Sequence, residues 1–346
     1  MQNRKCGLLE MVLIGLLLVA LVSGCGTNAN KNQAATQGPQ GTLVLKFANG
    51  QSVNSIANMT MLDMAKEINT KSGGRIEVQV YPANQLGNER DLAEGLRMGT
   101  IDMAYISQAV MENFEPKLGL FSLPFLFKNQ EHAEKVVNGP IGQSLYDNIL
   151  KEKGIRVFGS WRQNFRFVFS NKSIATASDF KGLKIRVPES PTYVNTFKAL
   201  GANPTPLPWG EVYTSMQTHV VDAFEVQSTS VGTEKLYEVS KYVAKTHHIM
   251  ASSLVMINEK KWQALSPDLQ KIVSEAAANG QKTNFQKQAA SEEQDLKLFA
   301  EKNMVINEFS PAERQKMVDA VQSVWKEIPE KLKATDLLQQ IIKAGN

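Results

Sequence analysis

Two arginines stand where an anion might be gripped, and their surroundings say how. Arg186 lies in GLKIRVPES, Gly182 to Ser190, and Arg166 in NFRFVFS, Asn164 to Ser170. In the first stretch Lys184 and Arg186 alternate with Ile185 and Val187, so both cations share one face of a short strand that Pro188 ends. The carboxyl end of a strand in an open α/β sheet faces the ligand crevice. A guanidinium there is planar, always charged, and able to clamp a carboxylate through two parallel hydrogen bonds. Arg166 is interleaved with Phe165, Phe167 and Phe169, which desolvates its charge unless an anion pairs with it. Taken singly, each arginine reads as a solvated or structurally paired side chain, and Trp209 and Phe224 read as core. Together they read as a binding site.

Other chemistry finds little support. The four histidines, His132, His219, His247 and His248, have no metal-ligand spacing with another histidine, a cysteine or paired carboxylates. No nucleophile elbow, zinc-protease helix, P-loop or dinucleotide fingerprint occurs. SDFK, Ser178 to Lys181, fits S-x-x-K, a pattern common by chance, and it lacks a K-T-G partner. Nothing here calls for an enzyme or a cofactor.

The elements that must position these arginines alternate in kind. Leu43, Leu45 and Phe47 mark a first strand, and Ala57, Met61, Met64, Ala65 and Ile68 a helical stripe. RIEVQVYP, a helix over 88–98 and DMAYIS follow, a β-α-β-α-β order that predicts an α/β domain with a largely parallel sheet. FSLPFLF, Phe121 to Phe127, reads as an apolar packing loop, and GIRVFGSW and NFRFVFSN as two strands. GLKIRVP opens a second α/β rhythm with helices over 192–200 and from PWGEVYTSMQ, and a strand at VDAFE. SSLVMINEKKW reads as a strand returning to the first sheet. Ser266-Pro267-Asp268 is a helix start, and the stripe from Leu269 to Phe299 predicts one helix of more than thirty residues. Two helices over 311–325 and 330–344 close the chain.

The chain has 346 residues, 42% hydrophobic and 21% charged, with a formal charge of +4. That length suggests two domains. With no basic or acidic run, the charge fits small anionic ligands and gives no footprint for nucleic acid. Arg4 and Lys5 precede an apolar run from Met11 to Val22, which is short for a membrane span and suits a signal segment. It ends in VSGC, Val22 to Cys25, which resembles a bacterial lipobox. The expectation is a leader over 1–24, a lipid on Cys25 and a flexible tether over 25–42. Cys25 would then be the sole remaining cysteine, with no internal disulfide possible.

GLKIRVPES, PLPWGEVYTSMQTHVVDAFE, QLGNERDLAEGLRMGTIDMA and LPFLF, in that order, resemble the DctP-type substrate-binding proteins of TRAP transporters. The resemblance runs from about Leu43 to beyond Asn303. It implies a two-lobed periplasmic binding protein fold with a long helix spanning both lobes. Lobe I is expected over 43–163 with 253–291, and lobe II over 164–252 with 292–346. It also implies capture of a small carboxylate-bearing anion, such as a C4-dicarboxylate or sugar acid, for delivery to small and large integral membrane subunits. Arg186 and Arg166 take the carboxylate-binding positions, Trp209 the aromatic wall with Phe224, and Glu89 a polar contact. Relatives have DGQEN where this chain has DAFEV, so Val226 replaces a donor asparagine; Glu225 then faces a ligand hydroxyl or amine, or is structural. Two rivals stand beside this reading: a binding protein that feeds a sensor kinase or chemoreceptor, and a tethered hydrolase or isomerase on a bilobal scaffold.

Overall fold

The computed structural model describes residues 41–345. The expected leader, Cys25 and the tether up to residue 40 lie outside the described residues.

Ten strands alternate with helices. They are β1 Leu43–Asn49, β2 Ile76–Tyr81, β3 Met103–Ser107, β4 Ile155–Ser170, β5 Lys184–Val187, β6 Asn203–Pro206, β7 Ala223–Gln227, β8 Tyr242–Ala244, β9 Met250–Asn258 and β10 Val305–Asn307. Along the main path the order is β2-β1-β3-β9-β4-β7-β5-β6, with β8 bridging β4 and β10. β1 runs parallel to β2 and β3, while β9 enters antiparallel between β3 and β4. On the far side β7, β5 and β6 are parallel to one another, and β7 is antiparallel to β4. The α/β reading therefore holds, with antiparallel strands at the centre.

β4 joins the two halves. Residues 155–165 pair with β9 and residues 166–170 with β7, so one strand of 16 residues serves both. Two separate strands were expected here. The polar run Arg162-Gln163-Asn164 reads as a turn, but all three residues are buried, and the register merely shifts between Arg162 and Phe165.

The stripe on the helix Ile56–Lys71 packs as its spacing requires. Met61, Met64 and Ile68 join Leu45 and Phe47 of β1, and Val273, Ala276 and Ala277, in one apolar cluster. The predicted single long helix is two: Pro267–Ala289 and Ser291–Glu301, meeting at Ala290. The cause is visible. Asn164 Nδ2 donates to the Gln288 carbonyl at 3.1 Å and to Ser291 Oγ at 3.0 Å, an insertion into the helical ladder that interrupts it. The run still touches both halves, through Ala276 against the β1 side and through Phe299, 5.5 Å from Phe169, on the β7 side. At the end of the chain three helices replace the two expected: Pro311–Ala320, Gln322–Lys331 and Thr335–Ala344. The break falls at Val321 and Pro329 lies inside a helix, two residues before its end. The FSLPFLF loop packs as read, with Phe121, Leu123, Leu126 and Phe127 buried.

Candidate functional site

β5 presents Ile185 and Val187 to the apolar core and turns Arg186 the other way. Lys184, on the same face two residues earlier, is exposed; Arg186 is 3% exposed because the 207–209 segment covers the strand's end. Its Nε and Nη2 both donate to the Leu207 carbonyl, at 2.9 and 2.6 Å. The guanidinium lies 5.7 Å from the centroid of the Trp209 ring. Among the described residues it forms no ion pair, and its Nη1 donates to none of them. Burial pushes this guanidinium down to about 10, although Glu225 and Glu89 favour its charge.

Arg166 sits differently. The β4–β7 register sets it opposite Gln227 and diagonal to Glu225. Its Nε and Nη2 grip the Glu225 carboxylate in a fork, with Nη2–Oε1 at 2.8 Å, and Nη2 also meets the Glu225 carbonyl at 2.8 Å. Nη1 donates to Gln227 Oε1 at 3.4 Å. His248 Nε2 reaches Glu225 Oε2 at 3.2 Å, while its Nδ1 meets Thr246 Oγ1 at 2.7 Å. Burial opposes the charge of both partners, and their mutual attraction outweighs it: Glu225 is held below the usual carboxylate range, and Arg166 more firmly charged. Arg166 is thus already neutralised by the protein. The sequence held Glu225 open as a ligand contact or a structural group; the geometry makes it the partner of Arg166, outside the cavity lining.

Glu89 is the first residue of the helix Glu89–Met98, which Asn88 caps by accepting from the Arg90 and Asp91 amides. Its Oε1 accepts from the Ser107 amide at the end of β3, at 2.8 Å. Burial raises its pKa against the pull of the Ser107 amide and of Arg186 and Arg166.

These groups meet. Arg186, Arg166, Glu89 and Trp209 line one cavity of about 40 Å³, room for roughly three waters or one carboxylate group. Val226 lines it too, so the position that lacks the asparagine does face the site. Phe224 is a correction. It is fully buried and stacks on Phe169 at 5.3 Å, because the pleat turns it toward the Phe167–Phe169–Phe299 cluster and away from the cavity. Gln51, Gln163, Gln227 and Ser230 also line the site, and sequence reasoning missed them. The one available signal was Gln163, in a polar run inside a strand pattern. Among the described residues no group of three histidine, cysteine or acidic side chains is arranged to hold a metal ion. No described helix is long and apolar enough to cross a membrane.

The sequence profile of the bacterial extracellular solute-binding proteins, family 7, the DctP group, matches residues 47–332. The chain belongs to this family. The DctP-type resemblance and the two-lobed α/β expectation are therefore borne out, and membership places the protein outside the cytoplasm. The 2,3-diketo-L-gulonate-binding periplasmic protein YiaO of Escherichia coli is 34% identical over 253 residues, 72% of this chain and 76% of that one. The galactonate complex of a sugar acid binding protein from Advenella mimigardefordensis superposes with a TM-score of 0.85 at 28% identity, covering 88% of this chain and 98% of the other. A TRAP solute-binding protein from Sulfurospirillum deleyianum with bound succinate gives 0.82 at 28%, covering 86% and 97%.

Proposed function

We propose that this protein captures a small organic acid anion by its carboxylate and delivers it to a TRAP-type permease. That permease comprises a small and a large integral membrane subunit and is driven by an ion gradient. One observation carries the reading: Arg186 is a buried cation whose only hydrogen bonds are to one backbone carbonyl. Such a charge is strongly stabilised by an incoming carboxylate, which binds it through charge-assisted hydrogen bonds. Arg166 Nη1 adds positive potential beside it, Trp209 shields the pair from water, and Glu89 is the polar neighbour. Relatives named for diketogulonate, galactonate and succinate support an acid as the ligand class.

The lobes are 43–163 with 253–291, and 164–252 with 292–346. They part and close about β4, β9 and the Ala290 joint. A cavity of about 40 Å³ holds a carboxylate but not a whole six-carbon acid, so the ligand enters with the lobes apart. Cys25 carries the lipid that holds the protein at the membrane after removal of 1–24. The reading contains no catalytic step.

The test is thermal unfolding of the purified protein against a panel of organic acids. A bound acid at a hundred times its dissociation constant adds about 2.7 kcal/mol to stability. One acid should shift the wild type and leave Arg186→Ala unmoved, with the variant's circular dichroism intact. No shift with any acid, or an equal shift in Arg186→Ala, overturns the clamp.

A further inference from the structure

Beyond the arginine clamp the cavity is continued by a smaller one of about 10 Å³, and Gln51, Gln163, Gln227 and Ser230 line both. Gln163 is 4% exposed, yet its amide hydrogen-bonds no described residue. The Gln51 side chain likewise meets none; only its backbone is engaged, with the Asn49 side chain and the Ala83 amide. Gln227 Nε2 donates to Ser230 Oγ at 2.7 Å, which turns the Ser230 hydroxyl proton outward as a donor. Two unpartnered amides beside an orientated hydroxyl make a built polar surface with no internal use.

The chemistry of that surface selects among ligand groups. An amide offers a donor and an acceptor side by side. A carboxylate only accepts, an ammonium only donates, and a methylene chain does neither; a hydroxyl does both. The charge balance points the same way. Arg166 and Arg186 are set against Glu225 and Glu89, so the buried cluster is neutral before any ligand arrives. One ligand carboxylate finds Arg186. A second would meet amides and the Glu89 carboxylate, with no further cation lining either cavity.

We propose that the rest of the ligand is a neutral polyhydroxylated chain seated among Gln51, Gln163, Gln227 and Ser230, so that the protein selects hydroxylated monocarboxylates over dicarboxylates. The proposal rests on the carboxylate clamp and gives the clamp its substrate class.

Titration calorimetry on the full-length protein tests it with acids of one chain length. D-gluconate and D-galactonate carry hydroxyls, adipate a second carboxylate, L-norleucine an ammonium, and hexanoate none of these. At least one hydroxylated acid should bind a hundredfold or more tighter than the other three, since sites built for hydroxyls reject analogues lacking them by about that factor or more. Gln163→Leu should weaken that acid about tenfold and leave hexanoate unchanged, as the loss of one hydrogen bond requires. Adipate, norleucine or hexanoate binding as tightly as the hydroxylated acids, or Gln163→Leu binding them like the wild type, overturns the proposal. In those cases the clamp survives if Arg186→Ala still abolishes binding. If none of the acids binds, or Arg186→Ala leaves binding intact, the clamp fails and the proposal falls with it.

Discussion

Arg186 and Arg166 lie in the same cavity wall and are held by opposite means, so truncating them should have opposite effects. Arg166 is neutralised by Glu225; its loss strands a buried carboxylate, which typically costs about 3–5 kcal/mol. Arg186 has no such partner, and burial has moved its guanidinium from 12.5 to about 10, a burden of roughly 3 kcal/mol at about 1.4 kcal/mol per unit. Arg186→Met removes that burden and leaves the Leu207 carbonyl without its two donors, a penalty of about 1–3 kcal/mol. Chemical denaturation of the unliganded proteins should therefore find Arg186→Met about as stable as wild type and Arg166→Met several kcal/mol weaker. A drop above about 3 kcal/mol for Arg186→Met would mark the residue as structural, because the orphaned carbonyl alone accounts for no more. Glu89 supplies the pH dependence. The groups that face it are Arg186, Arg166 and the Ser107 amide, and burial already raises its pKa. A ligand carboxylate on Arg186 adds negative charge nearby and raises it further, so binding takes up a proton. Affinity is then fully present below the Glu89 pKa of the free protein and falls as pH rises toward that of the complex. Calorimetry in two buffers of different ionisation heat should detect the proton in the wild type and none in Glu89→Gln; equal uptake in both removes Glu89 from the site.

At the scale of elements, the helix Pro267–Ala289 braces the first sheet through one close approach. A Cβ on Gly280 would lie 2.6 Å from Trp161 Cζ2, and Trp161 is 1% exposed against β4 and the helix, with little room to give way. Gly280→Ala gains about 1 kcal/mol of helix propensity and loses about 1–3 kcal/mol to overpacking. The variant should come out less stable by roughly 1 kcal/mol, measured by urea unfolding; a stabilised variant would show that the helix can move off Trp161. Elements of this kind were legible because their signals are local. The stripe from Ala57 to Ile68 and the β-α-β-α-β order depend only on spacing, and the helix start at Pro267 depends on neighbouring residues. What stayed hidden depends on partners far along the chain. Arg162-Gln163-Asn164 looks like a turn until Asn164 is seen bonded to Gln288 and Ser291. Glu225 looks like a ligand contact until the β4–β7 register sets it beside Arg166. Phe224 was expected on the cavity wall, but which face of β7 looks inward is fixed by pairing and not by residue type. The two arginines were visible as a pair of charges among apolar residues; that only one of them lacks a carboxylate partner was not.

For the molecule as a whole, the proposed lobes touch around the mouth of the site through few polar contacts. The Ser52 amide, just after β1, donates to Glu234 Oε1 at 3.0 Å, across 182 residues of chain. The same carboxylate is stabilised by the Trp209 side chain. Trp209 lines both the inner cavity and an outer cleft of about 340 Å³ that Glu234 and Asn84 share, so it is the partition between the ligand and solvent. Arg90 and Glu189 approach at 3.9 Å nearby with more than half of the arginine exposed, a pair worth at most about 1 kcal/mol. Glu234, being half-buried, is the stronger link, because its loss orphans the Ser52 amide and frees the indole together. Removing a contact made only on closure weakens the closed complex without touching the carboxylate clamp, and most such effects appear in dissociation. Glu234→Ala should therefore raise the ligand off-rate about tenfold, the equivalent of roughly 1.4 kcal/mol, with the on-rate within about threefold of wild type. Stopped-flow tryptophan fluorescence separates the two rates. An unchanged off-rate would mean that the ligand alone holds the lobes together, and a slower on-rate would mean that Glu234 shapes the open form as well.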